Sequence, residues 1–529
     1  MNACFTVSRV TALLSFMQLV CVAEISQAQQ WSEVPVPAPS DLDAGSLFGW
    51  CVAMDEDLLV VGAPGADDPG PNSGAVYVFS RNAGGLGQWE EVQRLQVADL
   101  ASGARFGSWL EWRDGLLLVG APNDAVNGVV AGSIYTFRRN TDGQFVQEQR
   151  LVPIVRGINM RFGEHFVSAR TADVPHLLVS AAPGADYQPG ILNTFNCLGS
   201  VLLFSADAGN GFDALDDYSP PTGLTVGAGF AQRVALVNDG SNAATVIAVS
   251  GRLMSTAIAR VSAPDGIDGG EWPRDDTLTA PDVWGSAIVS AGSELVARSG
   301  SLFATARTDE HNVVLCYALS SGALVQDGVL LPDTDLIDLS NRFGHAIAPD
   351  ANDAFLTHGL VAVGAPGADI GMPVGSCMLY QRDIGSEGNW TSTARLIPSD
   401  AEMGALFGAS VGVSWPYVAV GAPGHGPDDR GKVYVFEDPT NTVMERSVNS
   451  VDVRIYPVPV RDLLRVDLAS TAPLEAAFRV VDLSGKEVRS GGVNATTFSI
   501  DVTGLVLGSY VLQITTGGAS SHERFVIAP

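Results

Sequence analysis

The strongest constraint in the sequence is a repeat, in which an apolar run ending in Gly-Ala-Pro is followed by a Gly-rich acidic loop and a second apolar run. The first copy reads VVGAPGADDPGPNSGAVYVF at 60–79, and related copies stand at 119–137, 363–380 and 420–436. Each run has the length of a β-strand, and the glycines and prolines between the runs interrupt helices. Such a chain has to build several copies of one small sheet.

A Phe-Gly pair precedes the Gly-Ala-Pro run and marks the start of each unit. Two degenerate pairs complete the series, and the seven units begin at Phe48-Gly49, Phe106-Gly107, Phe162-Gly163, Phe230-Ala231, Trp284-Gly285, Phe343-Gly344 and Phe407-Gly408. Within a unit these two runs are followed by a Gly-x-Val-Tyr-Val-Phe run and a Trp-x-x-x-x-x-Leu run. Four short strands per unit predict an all-β chain with a seven-bladed β-propeller.

The repeat also predicts how the blades pack. Where inner strands converge on a channel, Gly and Ala fit the narrow space, and the Pro ends the strand because it has no N–H. The Phe of each Phe-Gly pair is expected to wedge between adjacent blades. Residues 31–38, WSEVPVPA, are expected to supply the fourth strand that the last unit lacks after 431–436. This pairing would close the ring and cover an open sheet edge.

The array at 31–440 resembles the FG-GAP repeats of integrin α-subunit propellers, and more closely their bacterial relatives, because Phe-Gly and Gly-Ala-Pro recur in phase. The resemblance implies a binding or adhesion module. Integrin-type repeats often carry a D-x-D-x-D-G calcium loop between the two motifs, and alternating oxygen ligands suit Ca²⁺. Here the interval holds little more than a turn such as DED at 55–57, so we expect no metal site and no cofactor, with calcium left open.

The charge balance limits the partners. There are 30 basic and 58 acidic side chains, a net charge of −28, which repels nucleic acid and anionic lipid. In an up-and-down blade, the loops between second and third strands and the crossovers emerge on one face. The loop acids expected there form a predicted ligand surface: Asp67, Asp68, Asp124, Asp186, Asp369, Asp428 and Asp429. The crossovers add Asp41, Asp43, Asp333 and Asp400.

No catalytic motif is found. G-x-S-x-G, H-E-x-x-H and Gly-rich phosphate or dinucleotide loops are absent, and the histidines share no spacing. We therefore expect no catalytic residues and no enzyme activity. Two alternatives stay open, a secreted enzyme that acts on polysaccharide and a structural surface-layer component. An enzyme should show a cluster of His, Tyr or Arg with carboxylates at the channel mouth.

The two ends of the chain carry export signals. Residues 1–28 have Arg9, an apolar stretch too short for a comfortable membrane span, and SQA before the predicted cleavage site, as in a secretory signal peptide. Of the remaining chain, residues 29–447 are assigned to the propeller, and residues 448–529 are assigned to a small antiparallel β-sandwich. We expect no transmembrane segment after signal cleavage.

The C-terminal domain resembles the sorting domain of the type IX secretion system. The matching residues include Tyr456, Pro457, Pro459, Asp482, Gly485, Gly508, Tyr510 and Phe525. The resemblance implies passage through the periplasm and across the outer membrane by that machinery, followed by release or surface attachment. Together these features predict an exported bacterial surface or secreted protein, whose propeller binds an extracellular protein or glycan.

Overall fold

A computed structural model shows a chain built almost entirely of β-strands, with one short 3₁₀ helix, Leu339–Asn341, in the described part. The structure describes residues 31–55, 57–85, 87–95, 97, 99–113, 115–153, 159–169, 176–183, 199–206, 211–218, 232–238, 243–249, 256–262, 266–267, 288–298, 300–308, 311–320, 323–333, 339–350, 359–367, 374–382, 389–438, 453–456, 460–468, 476–482, 487–493, 495–506, 508–516 and 519–527. The chain divides into two compact units, residues 1–439 and 440–529.

The first unit contains seven four-stranded antiparallel sheets, which we call blades 1 to 7. Blades 1 to 3 are formed by β2 (Cys51–Asp55), β3 (Leu58–Ala63), β4 (Ala75–Arg81) and β5 (Trp89–Leu95); β6 (Trp109–Arg113), β7 (Leu116–Ala121), β10 (Ser133–Arg139) and β11 (Phe145–Leu151); β12 (Phe166–Ala169), β13 (His176–Ala182), β14 (Ser200–Ala206) and β15 (Phe212–Tyr218). A two-stranded hairpin, β8 (Ala125–Val126) and β9 (Val129–Val130), extends from blade 2.

Blades 4 to 7 follow the same order. They are formed by β16 (Arg233–Asn238), β17 (Ala243–Val249), β18 (Thr256–Ser262) and β19 (Gly266–Ile267); β20 (Ile288–Arg298), β21 (Ser301–Thr308), β22 (Asn312–Ser320) and β23 (Ala323–Leu330); β24 (Ala346–Pro349), β25 (Val361–Ala365), β26 (Ser376–Arg382) and β27 (Trp390–Leu396); β28 (Ser410–Ser414), β29 (Tyr417–Ala422), β30 (Lys432–Glu437) and β1 (Ser32–Val34).

The first strands of the blades contact one another in ring order, from β2 through β6, β12, β16, β20 and β24 to β28, which contacts β2 again. The predicted all-β propeller-type fold is therefore confirmed. The ring closes through β1, which pairs antiparallel with β30, Glu33 opposite Phe436, so the predicted role of the N-terminal segment is confirmed as well. The degenerate pairs Phe230-Ala231 and Trp284-Gly285 lie outside the described residues.

The Phe-Gly phenylalanines lie between blades, as predicted. Phe106 shares a buried cluster with Val76 of blade 1 and Tyr135 of blade 2, and its ring lies edge-on to Tyr135 at 5.5 Å. Phe48, Phe162, Phe343 and Phe407 occupy equivalent clusters. Burying one phenylalanine in this way contributes roughly 1.5–3 kcal/mol.

The glycines of both motifs meet at the same place. A Cβ on Gly62 of blade 1 would lie 2.1 Å from the carbonyl oxygen of Gly107, the Phe-Gly glycine of blade 2, whose φ is +91°. The pairs Gly120 with Gly163, Gly364 with Gly408 and Gly421 with Gly49 are equally close. Because the Gly-Ala-Pro run forms the second strand and the first strands line the channel, our channel-narrowing explanation for this glycine was wrong. Contact with the next blade requires it.

The second unit has two antiparallel sheets around one core. The sheets consist of β31 (Val453–Tyr456), β32 (Leu463–Leu468) and β35 (Thr497–Asp501), and of β33 (Ala476–Asp482), β34 (Glu487–Val493), β36 (Gly508–Thr516) and β37 (Ala519–Ile527). Leu464 and Ile500 of the first sheet and Val480 and Leu512 of the second belong to one buried cluster. This arrangement is a β-sandwich.

Candidate ligand site at the channel mouth

The loops between second and third strands and the crossovers into the next blade lie at one end of the ring, the crossover face. The backbone N–H of Arg105, in a crossover, donates to the carbonyl oxygen of Asn72, in a second-to-third-strand loop, at 3.1 Å. In the same way Leu47 donates to Asp429 at 3.1 Å and Asn159 to Val130 at 2.7 Å. Arg105 and Leu47 stand directly before Phe-Gly, and Asn159 lies three residues before Phe162, so each of these crossovers is tied to the loop of the preceding blade.

The predicted acidic residues fall into two groups. Asp124 is buried, accepts a hydrogen bond from Tyr135 Oη at 2.7 Å and forms an ion pair with Arg150. It therefore does not belong to an exposed acidic surface. Asp67, Asp68, Asp428 and Asp429 are exposed on second-to-third-strand loops, and we call them the acidic rim. Asp186 and Asp369 lie outside the described residues.

The contacts of Asp124 with a tyrosine and a cation recur in other blades at the more exposed carboxylates Asp41 and Asp400. Tyr77 Oη donates to Asp41 at 3.1 Å, and Arg94 lies 2.9 Å from the same carboxylate. Tyr434 Oη donates to Asp400 at 2.6 Å, and Lys432 Nζ lies 2.6 Å from it. In each case the cation also lies over the tyrosine ring. Several of the predicted acids therefore stabilise their own blade through a tyrosine and a cation.

The first strands of all seven blades enclose a central cavity of about 630 Å³. The first strands start at the crossover face, so residues around the five described Phe-Gly pairs lie at the mouth of this cavity. The charged, histidine and tryptophan side chains among the lining residues at that end define the mouth cluster: Trp50, Arg105, Trp109, Arg161, Glu164, His165, Arg233, Glu294, Arg342 and His345. The cluster combines cations, carboxylates, histidines and indole rings in one concave site.

Blades 3, 4 and 5 meet in a buried group of the cluster. Arg233 Nε lies 3.4 Å from Glu294 Oε2, and Glu294 Oε1 lies 3.6 Å from His165 Nε2. His165 Nδ1 accepts a hydrogen bond from the backbone N–H of Val234 at 3.3 Å, so the proton of the neutral ring is on Nε2, which faces the carboxylate. Trp109 covers His165 with ring centroids 4.2 Å apart.

Burial sets the charge of this group. It lowers the pKa of His165 to about 4, although Glu294 opposes the effect. Burial would raise the pKa of Glu294, but Arg233 and His165 together hold it below its ordinary value. At neutral pH, His165 is therefore an uncharged side chain that supports the ion pair between Arg233 and Glu294.

The remaining cluster residues are closer to solvent. Arg161 pairs with Glu164, whose pKa burial raises despite this cation. Arg342 Nη2 lies 3.0 Å from His345 Nδ1, and burial and then Arg342 lower the pKa of His345 to about 4. Both histidines of the cluster are thus neutral at pH 7.

A second polar layer lies farther along the first strands. Ser168 Oγ donates to Glu111 Oε1 at 3.0 Å, and burial raises the pKa of Glu111. Burial, reinforced by Arg113, lowers the pKa of Arg298. Among the residues that the structure describes, no group of three or more His, Cys, Asp or Glu side chains is placed to hold a metal ion.

The mouth cluster was not predicted from the sequence, although the sequence contains a signal for it. Arginine stands directly before Phe-Gly in three units, as Arg105, Arg161 and Arg342, and histidine follows shortly after in two of them, as His165 and His345. The histidines share no spacing along the chain, yet the ring brings these two to one cavity. Spacing along the chain could not show this, since the units differ in length.

The motif residues of the second unit lie partly together. Asp482 of β33 is opposite Tyr510 of β36, which is opposite Phe525 of β37. The rings of Tyr510 and Phe525 stack at 5.8 Å, and both are buried in the sandwich core. Gly508 begins β36 opposite Ile527, and Tyr456 ends β31, whereas Pro457, Pro459 and Gly485 lie outside the described residues. Tyr510 and Phe525 therefore hold the domain together.

Comparison with protein-family models agrees with this architecture. The FG-GAP repeat model matches residues 31–79, 89–137 and 390–436, and the model of the secretion system C-terminal sorting domain matches 454–528. The chain carries FG-GAP repeats and a type IX sorting domain, so it is exported to the cell surface or the extracellular space. Among the described residues, no helix is both long and apolar enough to cross a membrane.

No curated protein matches the chain in sequence. Three solved structures show weak similarity. A protein from Lactobacillus plantarum has 13% identity and a TM-score of 0.40, covering 66% of this chain and 84% of its own. PorZ, an essential bacterial surface component of the type-IX secretion system of Porphyromonas gingivalis, has 13% identity and a TM-score of 0.37. The match covers 90% of this chain and 65% of the PorZ chain. Polysaccharide lyase Uly1 has 10% identity and a TM-score of 0.37, and the match covers 77% of this chain and 92% of the lyase chain.

Proposed function

We propose that this exported protein, which carries FG-GAP repeats and a type IX sorting domain, uses its propeller as a non-catalytic binding module. One observation carries the proposal, the mouth cluster at the crossover face, where cations and indole rings from several blades line one preformed cavity. Preformed concave sites with a few convergent polar groups are where ligands usually bind. The ligand would be an extracellular glycan or protein.

The same cluster also favours a second candidate, a secreted enzyme that acts on polysaccharide, because histidines, arginines and carboxylates meet at the channel mouth. Two contacts support binding over catalysis. His165 is wholly buried beneath Trp109, so it cannot reach a substrate without a rearrangement. His345 is engaged by Arg342. A general base must come within hydrogen-bond reach of the proton it removes.

The location of the site can be tested by obstruction. Ala409 lines the mouth in blade 7, whereas Met403 is exposed in the preceding crossover and does not line the cavity. We expect Ala409→Trp to abolish binding of the purified protein to its partners on a glycan and extracellular-protein array, and Met403→Trp to leave it unchanged. Binding that survives Ala409→Trp would contradict the proposed site.

The acidic rim remains a separate prediction, in which carboxylates bind a partner through a cation. Combined substitution of Asp67, Asp428 and Asp429 by Asn would remove three negative charges and keep the side-chain shape. If the rim is the binding surface, array binding is lost in this variant and also on addition of a chelator. Release of product from a polysaccharide by the wild-type protein would instead favour the enzyme. Self-assembly of the protein without binding to the array would favour the structural surface-layer component.

A further inference from the structure

The mouth cluster has a charge opposite to that of the protein as a whole. It contains four arginines and two glutamates, which leaves an excess of two positive charges, whereas the whole chain carries −28. Both histidines are neutral at pH 7 and do not change this balance. A local cationic site within an acidic surface concentrates anions at that site.

Among the described residues, two of the four arginines form no ion pair with a carboxylate. Glu164 neutralises Arg161 and Glu294 neutralises Arg233, but the described residues provide no such group for Arg105 or Arg342. Both have left-handed backbones, with φ of +59° and +57°. A backbone hydrogen bond also fixes Arg105 to the preceding blade. These guanidinium groups are therefore held at the mouth with donors available for an anion, and their planar geometry suits a carboxylate.

An exposed aromatic ring lies beside Arg105. Trp50 is 40% exposed, and the guanidinium carbon of Arg105 is 5.2 Å from its ring centroid. An indole ring at a polar mouth offers a flat apolar surface, and a sugar ring has a C–H face that can lie against it while its hydroxyl groups remain hydrated. A peptide would instead need pockets for apolar side chains. Arginine beside tryptophan therefore fits a sugar that carries an acidic group.

The acidic rim restricts the length of such a ligand. Its four carboxylates are exposed on loops of the same face as the mouth. A long polyanion laid across this face would bring its further charges toward these carboxylates, within the range of about 8–10 Å over which charges interact at physiological salt. A short oligosaccharide, or the end of a chain, avoids most of this repulsion.

We propose that the mouth cluster binds short carboxylate-bearing saccharides, with Arg105 and Arg342 as separate donors to the saccharide's carboxylates and Trp50, beside Arg105, lying against a sugar ring. This inference rests on the proposed function, because it assigns a ligand class to the same site. It differs from the acidic-rim prediction, in which the protein supplies the carboxylates.

Calorimetry with the purified protein tests the ligand class. The probes are a hexuronic acid trisaccharide, the same trisaccharide with its carboxyls reduced to alcohols, the long polymer of that acid, sodium acetate and a short Asp/Glu peptide. Arg105→Asn and Arg342→Asn remove the charge and retain a residue that tolerates positive φ. Arg430→Asn is the matched control, because Arg430 is exposed on a loop of the same face and does not line the cavity.

We expect the acidic trisaccharide to bind about tenfold or more weakly to either mouth variant, as for the loss of a charged hydrogen bond, and normally to Arg430→Asn. The reduced trisaccharide, the long polymer and acetate should bind at least tenfold more weakly than the acidic trisaccharide. Trp50→Leu should weaken binding of the trisaccharide and leave that of acetate unchanged.

The proposal would be overturned if the reduced trisaccharide bound as tightly as the acidic one. It would also be overturned if Arg430→Asn weakened binding of the acidic trisaccharide as much as Arg105→Asn and Arg342→Asn do. Tighter binding of the peptide would replace the saccharide by an acidic peptide, and equal binding of acetate would reduce the site to one for small anions. If acidic trisaccharides do not bind but Ala409→Trp abolishes binding of a ligand found on the array, only the ligand class is wrong. If Ala409→Trp changes nothing, the proposed site itself is wrong.

Discussion

At the scale of single residues, the glycine of Gly-Ala-Pro sets how closely two blades approach. A Cβ on Gly120 would lie 1.9 Å from the carbonyl oxygen of Gly163 in the next blade, far inside van der Waals contact. A Cβ has a fixed position on its backbone and the carbonyl oxygen is a backbone atom, so the clash cannot be relieved by a change of rotamer. The glycine is thus needed at the interface between blades.

We expect Gly120→Ala to destabilise the propeller by about 2–3 kcal/mol or more, because overpacking forces the blades apart. Thermal unfolding followed by circular dichroism would show a lower melting temperature. Gly84→Ala is the control, since its nearest neighbours are side-chain atoms at 3.4–3.5 Å in a hairpin loop. Equal melting temperatures for the two variants would contradict the close approach.

His165 should make the propeller sensitive to acid. Its folded-state pKa is about 4, below the ordinary 6.5, so the unfolded chain binds its proton first as the pH falls. The contribution of neutral His165 to the free energy of unfolding is complete above pH 6.5. It is lost progressively as the pH falls to 4, by about 3 kcal/mol in total. Denaturant unfolding at several pH values would measure this loss.

His165→Asn provides the comparison, because an amide oxygen can accept the Val234 hydrogen bond that His165 Nδ1 accepts. The difference in stability between wild type and this variant should shrink as the pH falls from 6.5 to 4. A difference that is constant over this range would show that His165 does not titrate there. Carboxylates that do not interact with His165 cancel in the comparison.

At the scale of elements, the strand β1 closes the ring. It is three residues long, and besides pairing with β30 it is held by Glu33, whose carboxylate accepts hydrogen bonds from the backbone N–H and Oγ of Ser399 at 2.9 and 3.0 Å. Without it, β30 would present an unpaired edge of a sheet, which is prone to pair with other chains.

Deletion of residues 31–36 should therefore lower the melting temperature of the propeller and promote self-association, as measured by calorimetry and light scattering. A synthetic peptide of residues 31–38 added in excess should restore both properties, because it can occupy the vacant edge. A scrambled peptide of the same composition is the control. Unchanged melting and a monomeric deletion variant would contradict the closure.

At the scale of the whole molecule, the chain combines two units with separate tasks. The propeller carries the mouth cluster, and the second unit is a sorting domain with a core of its own. A domain with its own core can be removed without exposing the core of its neighbour. Export and ligand binding should therefore be separable.

Deletion of residues 454–529 should leave the propeller folded but retained in the periplasm, because the type IX machinery would have no domain to recognise. Fractionation of cells that express both forms, with blotting against the propeller, would measure this. Secretion of the truncated form at the wild-type level would show that the sorting domain is dispensable. The melting temperature of the retained form is the control for folding.

The sequence by itself determined the repeat, the strands and the closure. Each depends on local chemistry that is written in order along the chain: strand 2 of blade 1 ends at Ala63 before Pro64, and Phe106 starts a new unit. It also determined the sorting domain, whose motif residues follow one another in the order typical of that domain family. The repeat and the strands could be predicted because they need only neighbouring residues and a repeat period, and the closure because the last unit lacks a fourth strand that residues 31–38 can supply.

Only the tertiary structure decided where the polar groups meet. Arg105, His165 and Glu294 are separated by tens of residues and come from three units of unequal length, and closure of the ring places them around one cavity. The structure likewise showed that Asp124 is buried against Tyr135, whereas the similar loop residue Asp67 is exposed. Burial and partners depend on the packing of whole blades, and for that reason acidic composition alone did not identify the candidate site.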